Sequence, residues 1–107
     1  MEREDVKAIL ADLKQRLQTE FGSDMSRLLV YGSVARGENT RDSDIDVMVV
    51  FREKGDMDER WQRAMDISVD VDLEYDTLIS ILVTSEQELV SRMVPLFMNI
   101  RREGMTL

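Results

Sequence analysis

The sequence predicts a small α/β (α+β) domain in which helices pack on a sheet of three or more strands. Three observations carry that prediction. Residues 6–21 repeat apolar side chains at helical spacing, while residues 28–31 and 45–51 are short apolar runs of strand length. The chain has 107 residues, 43% hydrophobic and 34% charged, which suits one globular core and a single domain over 1–107.

Each element follows in chain order. Val6, Ile9, Leu10, Leu13, Leu17 and Phe21 line one face of a helix, and Gly22 stands where a C-terminal cap belongs. Leu28 to Tyr31, closed by Gly32, reads as a buried strand; Ser33 to Arg36 suits a brief helix, and Gly37 to Ser43 is polar and turn-rich. Ile45 to Phe51 is apolar and rich in valine, so a second strand ends near Arg52. Asp56 or Asp58 is placed to cap a helix that turns Trp61, Ala64, Met65 and Val69 inward.

The next stretch carries two signals. Ile67, Val69, Val71, Leu73 and Tyr75 alternate like a strand, yet no Gly or Pro separates them from the apolar run Leu78 to Val83. A strand over 67–83 would greatly exceed the usual ~5 to 6 residues, so the helix is placed to about Leu73 and a strand from about Asp76 to Val83. Ser85 and Glu88 form a capping-box pattern for a short helix through about Met93. Pro95 then opens a last helix carrying Leu96, Phe97 and Ile100, with Gly104 as its stop.

Composition excludes much chemistry. Without Cys or His there is no disulfide, thiol nucleophile, imidazole base or zinc site of the usual kind. Carboxylates, hydroxyls, Arg, Lys and Tyr remain, and any metal should be a hard, oxygen-loving ion such as Mg²⁺, Mn²⁺ or Ca²⁺. A net charge of −8 repels phosphate backbones and anionic lipid, so neither non-specific DNA binding nor membrane association is expected. The longest apolar run, Val47 to Phe51, is too short to span a bilayer, and the charged start of the chain resembles no signal peptide. The expected setting is cytoplasmic.

The informative stretch is YGSVARGENTRDSDIDVMVV, residues 31–50. Gly32 after a strand lets the backbone turn sharply and approach a ligand, and Ser33 opens a helical turn whose free N–H groups suit a phosphate. Asp44 and Asp46, two apart at the start of a strand, leave the same face with Cα atoms roughly 6 to 7 Å apart. Such a pair suits divalent cations, and the two corners face each other if the strands pair.

These residues resemble the GSx10DxD signature of the DNA polymerase β-type nucleotidyltransferases. YGSVARG with DSDID, and the ending with LEYD, PLF and NIRREG, is similar to the minimal (MNT) branch of that superfamily. The resemblance implies a mixed sheet and transfer of a nucleoside monophosphate, AMP from ATP or the equivalent from another NTP, to a hydroxyl, with pyrophosphate leaving. It implies that Gly32 and Ser33 hold the terminal phosphates, that Asp44 and Asp46 bind Mg²⁺ or Mn²⁺, and that Arg36 positions the nucleotide. Two metals would activate the attacking oxygen and support the leaving group.

The family's third carboxylate, on a neighbouring strand, completes the metal site or accepts the proton and has Asp70, Asp72, Glu74 and Asp76 as candidates; position favours Asp76 as metal ligand and catalytic carboxylate. Members of the minimal branch pair with HEPN-family proteins as antitoxins, and some modify them with AMP. A HEPN-type partner or a homo-oligomer is therefore expected, since the chain leaves little room for an acceptor domain. The alternative is a catalytically weak module that neutralises its partner by contact; an aminoglycoside-like acceptor lacks a domain to shape its pocket.

Blander readings stand beside these. Asp42, Asp44, Asp46 and Glu53 fall at EF-hand positions, but Val47 occupies the place that needs Gly. Gly32-Ser33 is followed by no GK[ST], so it is not a Walker loop. Arg36 also suits a surface ion pair, the run from Asp66 to Asp76 a solvated face, and Met48, Met65, Met93 and Met98 core filling.

Overall fold

A computed structural model describes residues 3–40 and 43–107. The elements run α1 (Arg3–Phe21), a 3-10 turn (Gly22–Asp24), β1 (Met25–Tyr31), α2 (Gly32–Ala35), β2 (Ile45–Phe51), α3 (Met57–Tyr75), β3 (Ile79–Ser85), α4 (Glu86–Ser91), α5 (Pro95–Glu103) and β4 (Met105–Thr106). The strands form one mixed sheet in the order β3-β2-β1-β4, with β2 antiparallel to β1, parallel to β3, and β4 antiparallel to β1. The predicted class is borne out. Among the described residues no helix is long and apolar enough to cross a membrane.

The sheet is covered on both faces, and β2 shows why. Ile45, Val47, Val49 and Phe51 join a core with the α1 stripe of Val6, Ile9, Leu10, Leu13, Leu17 and Phe21, plus Ala64 and Val71 of α3. Met48 and Val50 point the other way, into a second core with Leu29, Leu89, Phe97 and Ile100. A strand buried on both sides has no polar face to alternate with, which explains its nearly unbroken apolar run. Burying each such side chain contributes about 1.5–3 kcal/mol.

Several boundaries differ from the sequence expectation. Strand β1 starts at Met25 rather than Leu28, because Ser26 and Arg27 are tied to Glu86 of α4 by bonds of 2.7 and 2.8 Å, so polar residues sit within the strand. Helix α3, capped by Asp56 accepting the Glu59 N–H at 3.1 Å, runs to Tyr75. Strand β3 therefore begins at Ile79, and Asp76 is the helix's left-handed C-cap (φ 52°), not the first residue of a strand. The inward face of α3 is Ala64, Ser68 and Val71.

Trp61 and Val69, expected inside, are 39% and 44% exposed; the Trp61 indole lies at the sheet edge and donates to the Ile81 carbonyl at 3.2 Å. Helix α4 ends at Ser91, short of Met93. Met93 and Met98 are exposed, whereas Met48 is buried as expected. The two-residue β4 was not anticipated.

Candidate functional site

The site forms where β1 ends and β2 begins. Antiparallel pairing sets Tyr31 opposite Asp46, so the glycine corner after β1 and the acid pair before and within β2 meet, as the sequence anticipates. Asp46 follows the parity of Met48 and Val50 and emerges on the α5 side of the sheet.

Gly32 adopts φ +71°, a conformation that L side chains rarely take. A β-carbon there would collide with Asp46 Oδ2 and lie 3.3 Å from its Cγ, so the carboxylate rests directly over the glycine backbone. The dihedral requires glycine, and any side chain there would also have to push the carboxylate aside. From this corner α2 rises for one turn, and Arg36 closes it by donating its N–H to the Gly32 carbonyl at 3.1 Å.

Electrostatics marks the same place. Burial raises the Asp46 pKa above the ordinary carboxylate value, the neighbouring Asp44 charge raises it further, and Arg36 pulls it down in part. Tyr31 is pushed up to about 12, first by burial and then by the Asp46 charge. Two neighbouring acids within the field of one guanidinium suit a divalent cation brought by a phosphate, because the cation relieves their repulsion. Asp44 and Asp46 thus offer the hard oxygen donors that Mg²⁺ would take.

Arg36 forms the surface ion pairs anticipated for it and stays near the acids. Its Nε donates to Glu38 Oε1 at 2.8 Å and its Nη1 to Glu103 Oε2 at 3.0 Å, while its charge still reaches Asp46. Ser33 lies half-buried in α2.

The third acid is not brought to this pair. Asp76 caps α3 in an exposed position, and among the described residues no three acids stand close enough to share a metal. The strand neighbour of Asp46 on β3 is Ser80, directly in register. A carboxylate set of Asp44, Asp46 and Asp76 is therefore not assembled, because α3 extends past the expected boundary and keeps Asp76 on the helix.

Asp72 is the more engaged acid of that run. It accepts the Ile79 N–H at 2.9 Å and pins the start of β3. Burial raises its pKa, the Ile79 hydrogen bond opposes that, and the Asp44 charge adds to the rise. Sequence alone gave no sign that Asp72 rather than Asp76 would turn toward the strand. Asp42, and with it the EF-hand comparison, lies outside the described residues.

Comparison with known proteins points to one family. A family model described as "Nucleotidyltransferase domain" matches residues 10–95. A Methanocaldococcus jannaschii relative, named in the protein adenylyltransferase class, is 29% identical over 79 residues, covering 74% of this chain and 79% of its own. A minimal nucleotidyltransferase structure superimposes with a TM-score of 0.62 at 22% identity, over 100% of this chain and 97% of that one. A chain from the complex of tri-AMPylated Shewanella oneidensis HEPN toxin with MNT antitoxin gives a TM-score of 0.55 at 16% identity, over 99% of this chain and 71% of that one.

Proposed function

The chain belongs to the nucleotidyltransferase domain family, and from that premise we propose that it moves a nucleoside monophosphate, AMP from ATP, onto a hydroxyl of a HEPN-type partner protein. The observation that carries the proposal is the Asp46 carboxylate seated over the positive-φ backbone of Gly32, which joins the acid pair to the phosphate corner. The names of the M. jannaschii relative and the S. oneidensis complex support protein adenylylation and a HEPN partner.

In this reading the Gly32-Ser33 backbone receives the terminal phosphates, with Arg36 beside them to offset their charge. Asp44 and Asp46 would hold Mg²⁺. The ion, when bound, neutralises phosphate charge and polarises the α-phosphate. The partner's hydroxyl oxygen forms a new bond to the α-phosphorus as the bond to the bridging oxygen breaks. Pyrophosphate leaves with that electron pair, and the hydroxyl proton passes to solvent.

One observation favours a second reading, a module that neutralises its partner by contact. Ser80, which is not a carboxylate, stands in register beside Asp46 on the neighbouring strand, and among the described residues no three acids gather to share a metal. The reaction class is tested by incubating the chain and a HEPN-type partner with ATP labelled at the α- or the γ-phosphate. Nucleotidyl transfer puts label on protein from the α position alone; label from the γ position would indicate phosphoryl transfer, and none from either would favour contact.

A further inference from the structure

We infer that Glu103, at the end of α5, is a positioning residue that holds the Arg36 guanidinium at the phosphate corner; this deepens the nucleotidyl-transfer reading and rests on it. Arg36 has two carboxylate partners that differ in what they can fix. Glu38 is two residues away and 59% exposed, so it shares the local motion of the arginine's own loop. Glu103 is 67 positions distant and 25% exposed, and it binds Arg36 Nη1 at 3.0 Å. Only the second contact sets the guanidinium relative to the sheet.

The platform beneath Glu103 is firm. Phe97 and Ile100 bury the inner face of α5 in the second core with Leu29, Met48 and Val50. The Gly104 N–H closes the helix on the Ile100 carbonyl at 2.8 Å. A side chain on such a helix is held better than one on a loop.

Helix stability does not account for a carboxylate at this point. The C-terminal end of a helix carries partial negative charge and favours cations, as Arg101 and Arg102 illustrate in the same turn. Glu103 runs against that preference; Arg102 lies 3.9 Å away, whereas Arg36 is a direct hydrogen-bonded partner. With Nε and Nη1 engaged, Nη2 has no partner among the described residues, leaving that amino group of a fixed guanidinium for a phosphate oxygen.

The test is calorimetric titration of the full chain with a non-hydrolysable ATP analogue and Mg²⁺, beside steady-state transfer kinetics. Thermal unfolding checks that each variant is folded. Glu103→Ala should weaken nucleotide binding about three- to fivefold, the scale of one exposed ion pair, and raise KM more than it lowers kcat. Glu103→Gln keeps an acceptor oxygen and should recover most of that loss. Combining Glu103→Ala with Arg36→Ala should cost no more than Arg36→Ala alone, because the glutamate acts through the arginine.

Unchanged or tighter binding by Glu103→Ala would overturn the inference and mark Glu103 as inert or as a competitor of phosphate. Fully additive losses would overturn it too. Failure of the unaltered chain to bind any NTP would overturn the nucleotidyl-transfer reading itself, a result distinct from the other two.

Discussion

The Asp46 carboxylate lies so close over the Gly32 α-carbon that a β-carbon at residue 32 would have to displace it. This contact makes the phosphate corner and the acid pair a single unit. Gly32→Ala meets both the collision and a positive φ of 71°. It should reduce nucleotide binding at least about tenfold and cost about 1–2 kcal/mol of stability from the backbone alone. Titration with ATP and Mg²⁺, alongside denaturant unfolding, measures the two effects separately.

The raised pKa of Asp46 has a signed consequence. An acid whose folded value lies above its unfolded value binds more protons when folded, so stability falls as pH rises through that range. Asp46→Asn should therefore raise the thermal midpoint at neutral pH by a few degrees while abolishing transfer. The gain should close as pH drops below the ordinary value of 3.8, where both side chains are neutral. Melting curves across pH for the two proteins check the sign.

Asp72 pins the start of β3, whereas Asp76 caps α3 in an exposed position, and the two should respond differently to substitution. Asp72→Ala removes the acceptor of the Ile79 N–H and should destabilise by about 1–2 kcal/mol, whereas Asp72→Asn keeps an acceptor oxygen and should lose much less. Asp76→Asn should leave the transfer rate within about twofold, because Asp76 joins no metal-holding group of three acids among the described residues. A large rate loss at Asp76 would restore it as the third carboxylate.

Much of the fold could be read before the structure because its signals were local. The α1 stripe, the doubly buried β2, the Asp56 and Ser85 caps and the Pro95 start each belong to a short window with one physical interpretation. The glycine corner and acid pair were equally legible, since spacing and pairing bring them together without any distant contact.

The end of α3 was not legible. No Gly or Pro punctuates it, and the stop is supplied by Asp76 in a left-handed conformation unusual for a residue with a side chain. Ala64 and Met65 of α3 meet the core as expected, whereas hydrophobicity misplaced Val69 and Trp61. Packing adds buried Ser68 and Val71, while Trp61 serves the sheet edge. The Glu103 contact with Arg36 joins residues 67 positions apart, and no local pattern encodes it.

Ser80 offers a gain-of-function test. Ser80→Asp would place a third carboxylate in register beside Asp46 on an exposed strand position. It should strengthen Mn²⁺ binding, read by electron paramagnetic resonance, and raise transfer about tenfold if the missing ligand limits the native rate. Tighter metal binding without faster transfer would mean that the two native acids already suffice for the reaction.

The most direct test of the central claim compares the native chain with Asp46→Asn against a HEPN-type partner, in the presence of ATP labelled at the α-phosphate and Mg²⁺. The account predicts label on the partner and loss of its activity with the native chain, and neither with the variant, although the two proteins still form a complex. Full neutralisation by Asp46→Asn without label would contradict it and establish contact, rather than nucleotidyl transfer, as the means of control.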